Sequence, residues 1–307
     1  MKDVQILTND QVLKLLSVEE CILVIENLFC CLDKCQMPPK MYLDIPNGDF
    51  RAMPAVVNNT AGIKWCGVHL DKSGNKRRCN IFAKVLINDI NSGELLAIMD
   101  AEVLTSIRTA AVTGVATKYI SHPFSKIAAF VGCGNQTKSQ IKAVCAVRDI
   151  EEIRLFDLNL GRSEKMKENF SDRYDVVVCK DLDVCVRVAD IVTTLTPSKE
   201  GFLDYEWLKK TVHVNAVGAD AKGKRELKPS VLDGVGFVVY DNWEQCSHSG
   251  EIQYVNHKDR KQDWESLGEV VSSGWNVQDI ASQTLFDATG LAIEDIITAR
   301  YIYEKVK

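Results

Sequence analysis

Between Lys126 and Asp157 the chain reads KIAAFVGCGNQTKSQIKAVCAVRDIEEIRLFD, an order that few folds accommodate. An apolar run, Ile127 to Val131, is short enough for a buried strand. Gly132 and Gly134 follow at once. Then come apolar residues at helical spacing (Ile141, Val144, Cys145, Val147) and a second apolar run, Ile153 to Phe156, that ends in Asp157. Strand, glycine turn, helix, strand and acid form the arrangement a dinucleotide requires. The first glycine makes the tight turn, and the second lets the backbone approach the pyrophosphate. The helix N-terminus offers N–H groups and a partial positive charge, drawing Asn135 and Gln136 into the expected contact set. Asp157 is placed to accept hydrogen bonds from the ribose hydroxyls, and it would repel a 2′-phosphate. Leu158 and Asn159 supply no arginine to receive one, so NAD is expected rather than NADP. Thr137 stands where a third glycine or an alanine is usual. Glycines also mark plain strand-to-helix turns, but the flanking strands and the terminal acid favour a cofactor.

A length of 307 residues suits two domains, or one with a large insertion. Apolar content of 46% and charged content of 26% are ordinary for a globular chain, and a net charge of −5 gives no basic field for nucleic acid. No apolar run approaches a membrane span, and the polar N-terminal residues Asp3, Asn9 and Asp10 argue against a signal peptide. Eleven cysteines without a CxxC pair read as reduced thiols in the cytoplasm, several of them (Cys66, Cys133, Cys145, Cys179) within apolar runs. Cys31 with Cys35, and Cys246 with His248, lack further ligands at a recognised spacing, so no metal is expected.

In chain order, Thr8 caps one helix and Ser17 opens a second, with Glu20 at the capping-box position. Met37-Pro38-Pro39 breaks the pattern. Alternating segments from Lys40 to Ile45, Asp49 to Met53, Ala61 to Val68 and Ile81 to Asn88 predict an antiparallel sheet, with a turn at Ser73-Gly74-Asn75. A strand over Glu94 to Asp100 leads into a long helix, Asp100 to Ile120, its start marked by Asp100 and Glu102. Apolar runs at Val176 to Cys179, Ile191 to Leu195, Val212 to Val217 and Phe237 to Asp241 predict a parallel sheet covered on both faces. Thr193, Thr194 and Thr196, and also Val217 to Asp220, fall at strand ends where a cofactor crevice lies. Beyond Val255 the pattern is less regular until a last amphipathic helix, Ala292 to Val306.

Among charged residues, Lys64 stands out in the apolar setting Ala61-Gly62-Ile63-Lys64-Trp65-Cys66. With Arg51 it could hold a carboxylate, or both could be surface charges. Arg108 could join them or merely cap its helix. Asp220 could carry a proton, although a turn aspartate is the simpler reading of its spacing alone.

Over nearly its whole length the sequence resembles the ornithine cyclodeaminase/mu-crystallin family, most closely the archaeal-type alanine dehydrogenase branch. The resemblance is carried by Gln36-Met37-Pro38-Pro39-Lys40, Arg51-Ala52-Met53-Pro54, Gly62-Ile63-Lys64-Trp65 and Ala97-Ile98-Met99-Asp100-Ala101. It continues in Arg108-Thr109-Ala110-Ala111, Gly132-Cys133-Gly134, Asn215-Ala216-Val217-Gly218-Ala219-Asp220 and Gly290-Leu291-Ala292-Ile293-Glu294-Asp295. It implies an α/β protein: a Rossmann-type doubly wound NAD-binding domain over 119–284, plus an α+β substrate and dimerisation domain over 1–118 with 285–307. It implies a homodimer acting on a small amino acid or 2-oxo acid. Arg51, Lys64 and Arg108 would surround the substrate carboxylate, with Met53 and Lys40 beside them, and Asp220 and Lys64 would be catalytic. Thr109, Leu195, Thr196 and Lys224 would join the glycine turn around the cofactor.

The implied reaction is oxidative deamination, L-alanine to pyruvate and ammonia, and its reverse. Cyclodeaminases, which make proline from ornithine, carry an acid where Arg51 stands, and an arginine there would repel ornithine's second ammonium. A ketimine or cyclic imine reductase, or a non-catalytic NAD(P)H-dependent binding protein of crystallin type, are the other readings. The chain departs from the family in lacking its usual Gly-Arg, with Gly274-Trp275-Asn276-Val277 in that region. It also lacks the Pro-x-Asn pattern over Leu70 to Arg78.

Overall fold

The computed structural model describes residues 3–70, 79–255, 264–275 and 283–307. The expected turn at Ser73-Gly74-Asn75, the 71–78 part of the altered segment and Asn276-Val277 lie outside them. The chain forms two compact units, one of residues 1–109 with 291–307 and the other of residues 110–290. These limits differ from the boundaries read from sequence, 118/119 and 284/285. The first division falls inside one continuous helix, Glu102–Ile120 (α3), and a cut at 284/285 would split a strand of the second unit's sheet.

Among the described residues the first unit holds seven strands: β1 (Gln5–Leu7), β2 (Cys35–Gln36), β3 (Met41–Ile45), β4 (Gly48–Val57), β5 (Thr60–Leu70), β6 (Cys79–Asp89) and β7 (Leu95–Asp100). Their order is β1-β7-β6-β5-β4-β2, with β3 also on β4. β4 runs beyond the expected end at Met53 and passes through Pro54. β3 pairs as far as Ala52 and β2 begins opposite Val56, so the proline falls in the gap between them, where its missing N–H costs little. Helices α1 (Asn9–Leu15) and α2 (Val18–Phe29) both begin with capping boxes, Thr8 with Gln11 and Ser17 with Glu20, each worth about 1 kcal/mol. The start of α3 is fixed differently from the expectation. Asn9 Oδ1 accepts from the Val103 N–H (3.1 Å), while Asp100 turns to Lys84 and the Asn9 N–H.

Period-2 alternation sorts the sheet's two faces. Arg51 and Met53 on β4 lie opposite Cys66 and Lys64 on β5, and these share a face with Gly62. A Cβ on Gly62 would come within 2.7 Å of Ile296 Cδ1, so this face packs under the last helix, Ala292–Val306. The other face carries Met41, Leu43, Phe50, Trp65 and Phe82.

The second unit is a parallel eight-stranded sheet: β8 (Ile127–Val131), β9 (Glu152–Phe156), β10 (Asp175–Val178), β11 (Ile191–Thr194), β12 (His213–Ala216), β13 (Phe237–Tyr240), β14 (Glu265–Ser266) and β15 (Thr284–Asp287). The order β10-β9-β8-β11-β12-β15-β13-β14 reverses direction between β8 and β11, the switch point of a doubly wound Rossmann-type sheet. The sequence reading missed β15, which lies between β12 and β13. The strand is only four residues long and has polar ends, so its place is set by pairing with strands remote in the chain. Among the described residues no helix is long and apolar enough to cross a membrane.

Candidate functional site

Building from β8, Gly132 has φ +100, and a Cβ there would lie 2.9 Å from the Leu195 carbonyl oxygen and 3.0 Å from Thr196 Cγ2. Backbone conformation and the close approach of the β11 loop therefore both require glycine. At Gly134 a Cβ would meet nothing within 4 Å. The helix α4 (Thr137–Val147) begins without a side-chain cap, and among the described residues the N–H groups of Gly134, Asn135 and Gln136 have no partner. Open space over a glycine, next to free N–H groups at a helix start, fits a pyrophosphate. Thr137 earns its place in the usual glycine position, because its hydroxyl donates to the Gly132 carbonyl at 2.7 Å and locks the turn. Asp157 closes the loop from β9: its carboxylate accepts from the Cys133 N–H and the Asn159 N–H, both at 2.8 Å. Leu158 and Asn159 supply no arginine, as the sequence indicates; further along, Arg162 Nη1 lies 4.0 Å from Asp157 Oδ2.

At the ends of β11 and β12, the Leu195 N–H donates to the Val131 carbonyl, which keeps Leu195 and Thr196 beside the glycine turn. Asp220 pairs with Lys224, whose ammonium also lies 3.4 Å from the Gly218 carbonyl. Beneath these loops sit carboxyls that the sequence reading did not single out. Glu226 accepts from the Thr196 N–H (2.6 Å) and the Gly218 N–H (2.9 Å), and burial pushes its pKa up. Trp275, in the region where the resemblance implies a Gly-Arg, stacks on Phe237 with ring centroids 4.4 Å apart.

The first unit gathers the cations. Lys64 Nζ meets Asp295 Oδ2 at 2.7 Å. Arg108 donates through Nε to Asp295 Oδ1 (2.8 Å) and through Nη1 to Glu294 Oε2 (2.7 Å). All four side chains are buried. Burial works against charge on Lys64 and Arg108 draws its pKa down further, with Asp295 only partly restoring it. Burial opposes charge on Arg108 as well, but Asp295 and Glu294 outweigh it and raise its pKa. Arg51 lies on the same face, its Nε 2.6 Å from Asp49 Oδ1 and its guanidinium 5.4 Å from the Tyr42 ring centroid. Burial pushes the pKa of the Cys66 thiol up, Asp295 adds to that, and the charges of Lys64, Arg51 and Lys40 oppose it. Met53 is Lys64's cross-strand neighbour. The structure therefore groups Lys40, Arg51, Met53, Lys64 and Arg108 in one unit. Thr109 is buried on α3 in that same unit. The other expected cofactor residues and Asp220 fall in the second. Glu294 and Asp295 were legible only as part of a motif; an acidic pair on an otherwise buried helix face was the available signal.

Fold and site together define a protein with a Rossmann-type nucleotide-binding unit and a separate α+β unit that holds a buried cluster of cations and acids. The chain belongs to the ornithine cyclodeaminase/mu-crystallin family, whose model matches residues 2–307. It is 35% identical over 305 residues to the alanine dehydrogenase of Archaeoglobus fulgidus, covering 97% of this chain and 94% of that one. A solved archaeal alanine dehydrogenase dimer with bound NAD superposes with a TM-score of 0.91 at 35% identity, over 99% of this chain and 96% of the other. The Δ1-pyrroline-2-carboxylate reductase of Thermococcus litoralis, solved with NADH and L-proline, gives a TM-score of 0.92 at 29% identity over 99% and 97% of the two chains.

Proposed function

We propose that this protein is an NAD-dependent oxidoreductase that interconverts a small L-amino acid with its 2-oxo acid and ammonia, with L-alanine and pyruvate as the pair. The observation that carries the reading is Lys64: a buried lysine with a depressed pKa, fixed by Asp295 on a face shared with Arg51. Cations in that setting bind a carboxylate strongly because water does not compete. The oxidised nicotinamide, when bound, supplies the hydride acceptor. Gly132, Gly134, Asn135, Gln136, Leu195, Thr196 and Asp157 would hold its nucleotide, with Thr109 and Lys224 contributing. Arg51, Lys64 and Arg108, with Lys40 and Met53 alongside, would orient the substrate carboxylate so that Cα presents its hydrogen. As that hydrogen leaves with its electron pair, the amine gives up a proton and becomes an imine. Asp220 would take protons as water adds and return one as ammonia departs. Lys64, more easily neutral than an ordinary lysine, is suited to proton transfer as well as binding.

The test is NADH oxidation with pyruvate and ammonium, run beside ornithine with catalytic NAD and proline detection. Rapid NADH loss supports the reading. Proline formation without net NADH change would instead make the protein a cyclodeaminase and overturn the role given to Arg51. Asp220→Asn should lower turnover by about 10²- to 10⁴-fold while NADH still binds. Likeness to the pyrroline-carboxylate reductase favours a second reading, reduction of a cyclic imine carboxylate, in which the same cations and the same proton carrier would serve. NADH oxidation by Δ1-pyrroline-2-carboxylate faster than by pyruvate with ammonium would select it.

The exposed face of the first sheet, with Met41 61%, Leu43 58% and Phe82 63% accessible, suits a second copy of the chain. Phe82→Glu should convert a dimer to monomers in light scattering. An unchanged mass would move the interface elsewhere.

A further inference from the structure

Three buried carboxyls in the second unit stand in series. Asp287, at the end of β15, accepts from the N–H groups of Glu251 (3.1 Å) and Ile252 (3.0 Å). Glu251 in turn accepts from the N–H groups of Glu226 (2.6 Å) and Leu227 (3.3 Å). Glu226 accepts from Thr196 and Gly218. Each acid thus grips the backbone of the next, and the last grips two loops that end neighbouring strands. Two glycines make room. A Cβ on Gly250 would lie 2.4 Å from an Asp287 carboxyl oxygen, and one on Gly218 would lie 2.5 Å from the Glu226 carboxyl.

All three carboxyls are fully buried, and among the described residues none has an ion-pair partner, an expensive way to build a core. A carboxyl offers two oxygens that can each accept, whereas an amide offers one. Only an acid at position 226 can hold the Thr196 and Gly218 N–H groups at once and so set the spacing between their loops. Gly218 matters because its carbonyl accepts from the Asp220 N–H (3.2 Å) and lies beside Lys224, the partner of Asp220.

We propose that Glu226 is a positioning residue: it fixes the loop carrying Thr196 against the loop carrying Asp220, and Glu251 and Asp287 hold it in place through its backbone. The proposal deepens the functional reading above, since it takes Thr196 as a nucleotide contact and Asp220 as the proton carrier.

The test is Glu226→Gln, which leaves one acceptor for two N–H groups. Amide exchange should rise at Thr196 and Gly218 while the rest of the sheet stays protected. NADH affinity, read by fluorescence, should fall several-fold. The kcat of whichever substrate the wild type uses should drop by about 10- to 100-fold, with amino-acid KM changed by less than about threefold. A purely structural role would lower the melting temperature and leave kcat, NADH affinity and both amides unchanged, and that result overturns the proposal. Should Glu226→Gln fail to fold, Glu251→Gln acts one step back and should move the same readouts in the same direction by less; no movement there overturns it as well. If the wild type turns over none of the substrates, the functional reading fails alone, and amide exchange with NADH affinity still decides.

Discussion

The two units bury charge by opposite means. In the first, Lys64 and Arg108 face Asp295 and Glu294, so two cations meet two acids through their side chains. In the second, Asp241, Asp287, Glu251 and Glu226 have no ion-pair partner among the described residues, and each is satisfied by backbone N–H groups instead. Burial raises the pKa values of Glu226, Glu251 and Asp287. Arg108 is pushed up by its acids despite desolvation, whereas Asp287 is pushed up to about 8 and Glu251 to about 9, chiefly by burial. The first cluster balances its charges side chain to side chain. The second uses its carboxyl oxygens as backbone clamps.

The sharpest break in this contrast is Asp295→Asn. It strips the shared partner from two buried cations, and removing one member of a buried pair costs about 3–5 kcal/mol. Asp287→Asn keeps one acceptor oxygen and should cost about 1–3 kcal/mol, the toll of one unpaired N–H. Urea denaturation of both variants decides, and equal losses would mean that the two clusters do the same job.

A smaller effect separates them by pH. Glu251 and Asp287 have folded pKa values above their unfolded ones, so the folded chain keeps protons that the unfolded chain releases near pH 4. Their stabilisation is therefore fully present below about pH 4 and is lost as pH rises towards about 8 to 9, with a slope of about 1.4 kcal/mol per pH unit for each retained proton. Glu251→Gln should flatten that decline in melts taken from pH 5 to 9. The same slope in variant and wild type would show that the clamp carboxyls release their protons early.

What the sequence displayed and what it concealed follow the same division between local and distant chemistry. The strands at Ile127–Val131 and Glu152–Phe156, the glycine turn, the Thr8 cap and the Ser17–Glu20 capping box rest on neighbours within a few residues, and all were readable. The chain named Lys64 and Arg108, but their acids come from the opposite end of the sequence, 187 positions from Arg108 in the case of Asp295. Likewise Asn9 caps α3 across 94 positions. The clamp carboxyls were harder still: in sequence, Glu226, Glu251 and Asp287 look like surface acids, because nothing local reveals that backbone N–H groups will converge on them. Thr137 looked like a defect in the glycine pattern until its hydroxyl was seen closing the turn.

Asp157 falls between the two modes and gives the finest test. It accepts two backbone N–H groups, as the clamp carboxyls do, yet Arg162 stands 4.0 Å away, as in the charged cluster. If the backbone contacts dominate, Asp157 is held in place to meet ribose hydroxyls, and Asp157→Ala should weaken NADH binding about tenfold, near 1.4 kcal/mol. The same change removes the repulsion towards a 2′-phosphate and frees Arg162 to receive one, since a guanidinium pairs well with phosphate. NADPH affinity should therefore rise as NADH affinity falls, and Asp157→Ala with Arg162→Ala should lose the gain. Titrating both nucleotides against the three proteins separates the contributions. Unchanged NADPH binding in the single variant would mean that Arg162 serves only to pair with Asp157, which would place this acid with the ion-paired cluster of the first unit.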